Sequence, residues 1–577
     1  MHYKNFKTVV YIPAWNASKM TKEKLEADYE FIEKYIGLDK VYLETHRNDI
    51  DIEKDQLLMI KSFLESKGVT VSGGITYTVN NIPGADDNKH RLFGTFCYTE
   101  PLMREKVKQI AEYTASIFDE IILDDFYFTF CKCDRCIKEK GDRDWVSFRK
   151  ELMTDVSKNL VVGPAKAVNP NVKMIIKYPN WRESFHFTGY LPEVQQDIFD
   201  GTYIGTETRS PKYTDQHLPE YLSYALVRYM ENAWPGRNGG GWFDTYQCWS
   251  ADRYMEQAYL TAFAKAQELM FFMWDDLIDN RFVGAMKYQL DKIDNMLEGT
   301  GKPTGLATYI PHASNGENHI EMRLGMLGIP IDMTPDFPKD KKVILLTESS
   351  AADENVVEKL RDYAQAGGTA VVTTGFVNKV GDKLREAGIT EAEVTGRKIN
   401  VTRYQITDHW TGYIDDAKPV HFPEIVHGNN ASWSLLNGGD GDYHTSLLLL
   451  NSYGMGAVCI LSIPDNYADI YSIPSEAIDV LKRLVSEGVY ASGKDFSMFT
   501  YDDGSMILYK YVKGDVRPSS IKIYNDMGFK KLKNTVTGEE YDAQPYDQYL
   551  MFEKKHYMAV DIMLEPGIFH KFIWHNE

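Results

Sequence analysis

The run EIILDDFYF, Glu120 to Phe128, is an apolar strand that ends in two adjacent aspartates. Branched aliphatic residues suit the pleated, half-buried surface of a sheet, so a carboxylate pair in such a run belongs at the strand's wet end. The same construction recurs through the first half of the chain. It is found in KTVVYIPAW (Lys7 to Trp15), KVYLETHR (Lys40 to Arg47) and VTVSGGITY (Val69 to Tyr77). It returns in VKMIIKYPNW (Val172 to Trp181), FDGTYIGTETR (Phe199 to Arg209), LVRYMENAW (Leu226 to Trp234) and ELMFFMWDD (Glu268 to Asp276). Between these runs lie amphipathic stretches such as Lys22 to Ile36, Asp55 to Ser66 and Arg104 to Ile117, with apolar residues three and four apart. Eight strands alternating with helical regions, closed by a helix over Arg281 to Leu297, predict a (β/α)8 TIM barrel over residues 1–302.

In such a barrel the carboxyl ends of the strands form the rim where chemistry takes place. The strand ends carry Trp15; Glu44 and Arg47; Asp124 and Asp125; Tyr178 and Trp181; Glu207 and Arg209; Glu231 and Trp234; and Trp274, Asp275 and Asp276. Acids that move protons or attack carbon, beside indoles that stack on sugar rings, are the ingredients of a glycosidase pocket. The segment RNGGGWFD, Arg237 to Asp244, lacks the Lys-Ser/Thr of a phosphate loop. It reads as a rim loop that presents Trp242 and Asp244.

Composition narrows the partner. The 577 residues hold 83 Asp and Glu against 64 Lys and Arg, a net charge of −19, and 13 % are aromatic. That balance argues against a nucleic-acid binder, which needs a basic face, and suits a neutral, hydroxyl-rich carbohydrate. No apolar stretch reaches the roughly 18 residues of a membrane span, and MHYKNFKTVVYIPAW has no signal-peptide core. The expectation is a soluble, cytoplasmic chain with no membrane partner.

Beyond the barrel, GLATYIPHA, VILLT, TAVVTTG and SLLLLNSYGMGAVCILSIP read as strands of a small α/β domain over 303–492. Gly367–Gly368 ends a helix there and turns the chain into the next strand. Short alternating strands such as SMILYKYV, SSIKIYND and YMAVDIML then predict a C-terminal antiparallel β-sandwich over 493–577.

Of six cysteines, Cys131, Cys133 and Cys136 form a C-x-C-x2-C run after the fourth strand, and Cys97 follows the third. Four thiolates close a tetrahedral zinc shell and leave no position open for catalysis, so the metal is expected to be structural. This run and the domain order resemble the glycoside hydrolase family 42 β-galactosidases. Those enzymes join a catalytic barrel with a four-cysteine zinc cluster to an amidotransferase-like trimerisation domain and a small β-domain. The resemblance implies a homo-oligomer, a trimer or dimer, built through the flavodoxin- or amidotransferase-like middle domain. That domain has no G-x-C-x-G nucleophile elbow, so its expected role is assembly.

The catalytic motif departs from that family. Family 42 enzymes use an Asn-Glu pair after strand four and a Glu after strand seven, whereas this chain has Asp124-Asp125. The layout looks like the retaining α-galactosidases, which implies Asp124 as nucleophile and Glu207 as acid/base. Period-two alternation puts Asp124 on the face of Ile122 and points it inward. Three alternatives stand beside this. The Asp124-Asp125 pair also suits a substrate-assisted N-acetylhexosaminidase, Glu231 suits a strand-seven nucleophile, and a catalytically inactive barrel would only bind carbohydrate. A metallohydrolase that uses the thiolates is a further rival. No redox or nucleotide cofactor is implied.

Overall fold

Strand β1 (Lys7–Ile12) pairs in parallel both with β2 (Lys40–Arg47), Val9 opposite Lys40, and with β8 (Glu268–Phe272), Lys7 opposite Glu268. That double pairing closes a barrel. Between them run β3 (Thr70–Ile75), β4 (Glu120–Leu123), β5 (Lys173–Tyr178), β6 (Gly201–Gly205) and β7 (Asn238–Asp244), each parallel to its neighbours. The computed structural model describes residues 2–85, 91–280, 282–407, 412–513 and 517–577. The first compact unit, Met1–Glu298, is the TIM barrel, with helices such as Lys22–Tyr35, Lys54–Ser66 and Pro101–Ala115 on its outside. The final helix spans Val283–Leu297; its expected start at Arg281 lies outside the described residues.

Inward-pointing side chains fill the barrel: Val9, Tyr11, Tyr42, Ile122, Ile175, Tyr203, Trp242 and Met270. Strand β3 contributes none of these, because its inward-facing Gly74 leaves room for a neighbour; Gly73 faces the outer layer, where a Cβ would meet Phe118 and Thr114. A Cβ on Gly74 would stand 2.7 Å from the Tyr11 hydroxyl. Gly74→Ala is therefore expected to cost about 1–3 kcal/mol in a denaturant melt, through overpacking of a core that cannot give way.

The seventh strand differs from expectation. Leu222–Ala233 is a helix, and the strand is the glycine-rich Asn238–Asp244. The helix is buried on nearly all sides, so its apolar run imitates a strand. The glycines are demanded by packing, since a Cβ on Gly240 would meet the Glu268 carbonyl oxygen at 2.1 Å and one on Gly241 the Thr261 methyl at 2.4 Å.

The second unit, Gly299–Glu577, holds two architectures. Five parallel strands, Ile331–Thr334, Leu306–Tyr309, Val343–Leu346, Thr369–Thr373 and Gly456–Leu461, continue into antiparallel His444–Tyr453, Trp433–Gly439, Arg403–Ile406 and Gly412–Ile414. Helices Val356–Gln365 and Thr374–Glu386 pack on this sheet, as in flavodoxin-like α/β folds. Two antiparallel sheets then face each other across a core that joins Met498, Leu508 and Phe572 to Ile523, Val560 and Ile562. That is the C-terminal β-sandwich. Among the described residues no helix is long and apolar enough to cross a membrane.

Candidate active site

Strand parity decides which side chains reach the barrel mouth. Because Tyr42, Ile122, Ile175, Tyr203 and Trp242 face inward, residues an even number of positions further on follow them. Those residues are Glu44 in the second half of β2, Lys177 and Asp244 at the ends of β5 and β7, and Asp124 and Glu207 just past the ends of β4 and β6. Asp125 comes where β4 has ended, and its carboxylate turns toward Lys177.

Lys177 is the hub. Its ammonium donates to Asp125 Oδ2 at 2.7 Å and to Glu207 Oε1 at 2.9 Å, with Asp124 Oδ1 at 3.9 Å. Trp242 lies beneath it, 4.3 Å from nitrogen to ring centroid. Arg47 joins Glu44 to Asp124, donating to Asp124 Oδ2 at 2.6 Å and, through Nε, to Glu44 at 3.0 Å. Thr76 donates to both of these carboxylates. Glu44 is further held by the Tyr11 hydroxyl and the Ala14 amide. Arg209 grips Asp244 with two bonds, 3.0 and 2.7 Å. Carboxylates outnumber cations here, five to three, counting Glu44, Asp124, Asp125, Glu207 and Asp244 against Arg47, Lys177 and Arg209.

The two neighbouring aspartates are driven apart. Asp124 is buried, yet Arg47 and Lys177 outweigh that burial and hold its carboxyl below the usual range. Burial pushes Asp125 up to about 7; Lys177 pulls it back, while Asp124 and Glu207 push it further. Lys177 is itself buried, but the three carboxylates around it keep it charged. Glu207 is 5 % exposed, and its Oε2 takes no hydrogen bond.

Other expected rim residues divide into two groups. Trp15 stands at the mouth against Arg47, 4.9 Å from guanidinium carbon to ring centroid. Asp275 is bonded by Asn16 beside it, and Trp181 packs edge-on against Phe128. Tyr178, Trp234 and Trp274 do not reach the site. Tyr178 has the opposite parity to Lys177 and bonds Gln195; Trp234 donates to the Pro192 carbonyl, and Trp274 to Asp28. All three are fully buried. Glu231 lies on the helix before β7, where its carboxylate accepts the Gly236 amide. Trp242, expected on a loop, is inside the barrel on β7. The functional residue missed from the sequence is Lys177. Its signal was a lone charge in MIIKY, two places after an inward isoleucine.

Cys97, Cys131, Cys133 and Cys136 converge between the loops that follow β3 and β4, their sulfurs all within 4.8 Å of one another. Cys97 lies 3.8 Å from Cys133 and 3.7 Å from Cys136. Sulfurs at tetrahedral corners around zinc stand about 3.8 Å apart, so the four residues fit such an ion. Arg149 fits as well. Its buried guanidinium feels the charge of Cys136 and Cys131, and its Nε and Nη2 have no hydrogen-bond partner.

Comparison with known proteins follows the same division of the chain. Residues 1–304 match the family model described as "Probable glycosyl hydrolase, catalytic domain". Residues 301–466 match "Uncharacterized protein SSO3021, second domain". The uncharacterized protein SSO3021 of Saccharolobus solfataricus is 25 % identical, over 92 % of this chain and 96 % of its own. Among solved structures, a β-galactosidase from Bacillus circulans sp. alkalophilus superposes with a TM-score of 0.64 at 13 % identity, covering 99 % of this chain and 100 % of that one. An α-L-fucosidase isoenzyme 2 from Paenibacillus thiaminolyticus gives 0.66 at 11 % identity, with both chains covered in full at 100 %. At such identities these structures share the fold.

Proposed function

The chain belongs to the family of probable glycosyl hydrolases whose catalytic-domain model spans residues 1–304, and from that premise we propose that it hydrolyses an oligo- or polysaccharide with retention of configuration. The observation that carries this reading is the pair of carboxylates on one ammonium. Asp125 Oδ2 and Glu207 Oε1 are 2.7 and 2.9 Å from the same nitrogen. Those two oxygens stand no more than about 6 Å apart, which suits the closer carboxyl spacing of a retaining enzyme.

The environments divide the labour. Asp125, pushed up to about 7, is the acid/base. It gives its proton to the glycosidic oxygen while the Glu207 carboxylate attacks the anomeric carbon, so the C–O bond breaks and the alcohol leaves. Water then loses a proton to the Asp125 carboxylate and attacks the anomeric carbon of the glycosyl–Glu207 ester, which frees the sugar and restores the Asp125 acid and the Glu207 carboxylate. Asp124, whose oxygens are held by Arg47, Thr76 and the Asp125 amide, positions its neighbour instead of attacking. This differs from the roles expected from the sequence: Glu207 becomes the nucleophile instead of the acid/base, and Asp125 replaces Asp124 as the reacting aspartate.

The test is a panel of α- and β-aryl glycosides, furanosides and N-acetylhexosaminides included, with the first-formed anomer read by NMR. Retention is expected; inversion overturns the mechanism, and no turnover anywhere favours a barrel that only binds sugar. The split between the two aspartates also suits a substrate acetamido nucleophile, and in that case only N-acetylhexosaminides turn over and Glu207 becomes dispensable.

Activity is expected to fall as pH rises through about 7, because Asp125 must be protonated to serve as the acid. Lys177 lowers that value and Asp124 raises it. In kcat/KM profiles Lys177→Met should therefore move the basic limb up, and Asp124→Asn should move it down. Shifts in one direction only would show that Asp125 is not the group being titrated.

The cysteine cluster is read as a structural zinc site. Supported by the resemblance to family 42, the barrel (1–302), assembly domain (303–492) and sandwich (493–577) form a homo-oligomer through the middle one.

A further inference from the structure

Two loops on the carboxyl side of the barrel, 206–221 after β6 and 245–250 after β7, form one wall. The Ser210 amide donates to the Gln247 carbonyl at 3.3 Å, and the Arg209 amide to the Gln257 side chain at 2.9 Å. Arg209 and Asp244 tie the base of the wall to the catalytic cluster. On its open side stand three large rings: Tyr213 is 56 % exposed, Tyr246 59 % and Trp249 66 %. Scattered apolar side chains at a surface are ordinary, but Tyr213 and Trp249 meet each other, and Tyr246 packs on the Arg209 that grips Asp244.

Their arrangement is fixed from behind. Arg209 backs the Tyr246 ring at 5.1 Å and Lys212 backs Tyr213 at 5.2 Å. Trp249 meets Tyr213 with centroids 6.2 Å apart and planes at 67°. Trp249 itself adopts φ +63°, a conformation that a bulky residue takes only when its surroundings demand it. The loop holds an indole outward, at a cost in backbone energy, where folding alone gains nothing from it.

We propose that Tyr246, Tyr213 and Trp249 are a platform for the sugar residues of a neutral oligosaccharide beyond the one held at Asp125 and Glu207. Aromatic faces meet the C–H faces of pyranose rings, and the excess of carboxylates at the mouth disfavours an anionic chain such as a polyuronide. The inference rests on the glycosidase reading and narrows it, because a platform away from the reacting carbon is useful only for a substrate longer than one sugar. Binding energy gathered there is available to the reacting centre, so longer substrates should be cleaved faster.

The experiment compares wild type, Trp249→Ala and Trp249→Phe on aryl mono-, di- and triglycosides of the preferred sugar. In wild type kcat/KM should rise about tenfold or more with length. Trp249→Ala should abolish about tenfold of that rise while changing monoglycoside turnover less than about twofold, and Trp249→Phe should restore most of it. An unchanged length dependence in Trp249→Ala overturns the platform while leaving the catalytic reading intact. If no glycoside is cleaved, the catalytic reading fails, and the platform is decided by fluorescence titration with cellotetraose, mannotetraose and β-1,4-galactotetraose. Quenching by one of them that is lost in Trp249→Ala supports the proposal, and no response to any of them overturns it. The exposed position of Trp249 means that all three proteins should fold alike, with thermal melts as the check.

Discussion

Glu207→Ala is expected to lower kcat/KM on an aryl glycoside by about 10⁴-fold or more, equivalent to about 5 kcal/mol of transition-state stabilisation, and added azide should restore part of the rate. Truncation opens a space beside Lys177, and the ammonium that held Oε1 at 2.9 Å remains to attract a small anion. Azide attacking from that space yields a glycosyl azide of configuration opposite to the substrate, a product that identifies the missing group as the nucleophile. Asp125→Ala should behave differently. Substrates with good leaving groups need no acid, so their first step survives and the glycosyl-enzyme accumulates, visible as a burst. The informative control is Asp244→Ala. Its carboxylate ends β7 but is bound by two nitrogens of Arg209, so the expected loss is in positioning, without rescue. Rescue at Asp244 instead of Glu207 would move the nucleophile to strand seven.

That control exists because the chain was legible in some places and not in others, for physical reasons. Asp124 and Glu44 are readable as inward-facing because β4 and β2 alternate regularly as far as the acids, from Ile122 and Tyr42; the register of β2 shifts only beyond Glu44. The same rule contains Lys177, two residues past Ile175, but the polar strand terminus beside it is Tyr178, which faces away from the barrel interior. Aromatic residues misled most. Tyr178, Trp234 and Trp274 end apolar runs and look like rim platforms, but each fills space in the packed layers and satisfies its polar atom there. The exposed rings of the wall, Tyr213, Tyr246 and Trp249, sit in loops without periodicity, where no sequence pattern distinguishes presentation from burial. Strand seven was hidden because its side chains were removed to admit Glu268 and Thr261.

Removing one cluster thiol, as in Cys136→Ser, is expected to destabilise the barrel by about 3 kcal/mol or more, a fall of roughly 5–10 °C in melting temperature. The four sulfurs belong to two separate segments: Cys97 just before the helix Pro101–Ala115, and the C-x-C-x2-C run entering the helix Asp134–Lys140. A tetrahedral ion held there would fasten the loops after β3 and β4 together, and the second of these begins with Asp124 and Asp125. Losing the ion should therefore cost stability first, and activity through looser placement of the acid. The measurement pairs an organomercurial titration, with released zinc read by a chromogenic chelator, against a thermal melt. One zinc per chain, lost as the melting temperature falls, is the expected result. The partner residue gives a second handle. Arg149→Met removes the buried guanidinium beside Cys136 and Cys131 and should weaken zinc retention without touching a ligand. If chelation instead abolishes turnover while the melt stays unchanged, the ion would have to reach the substrate. Four thiolate ligands leave it no open position from which to do so.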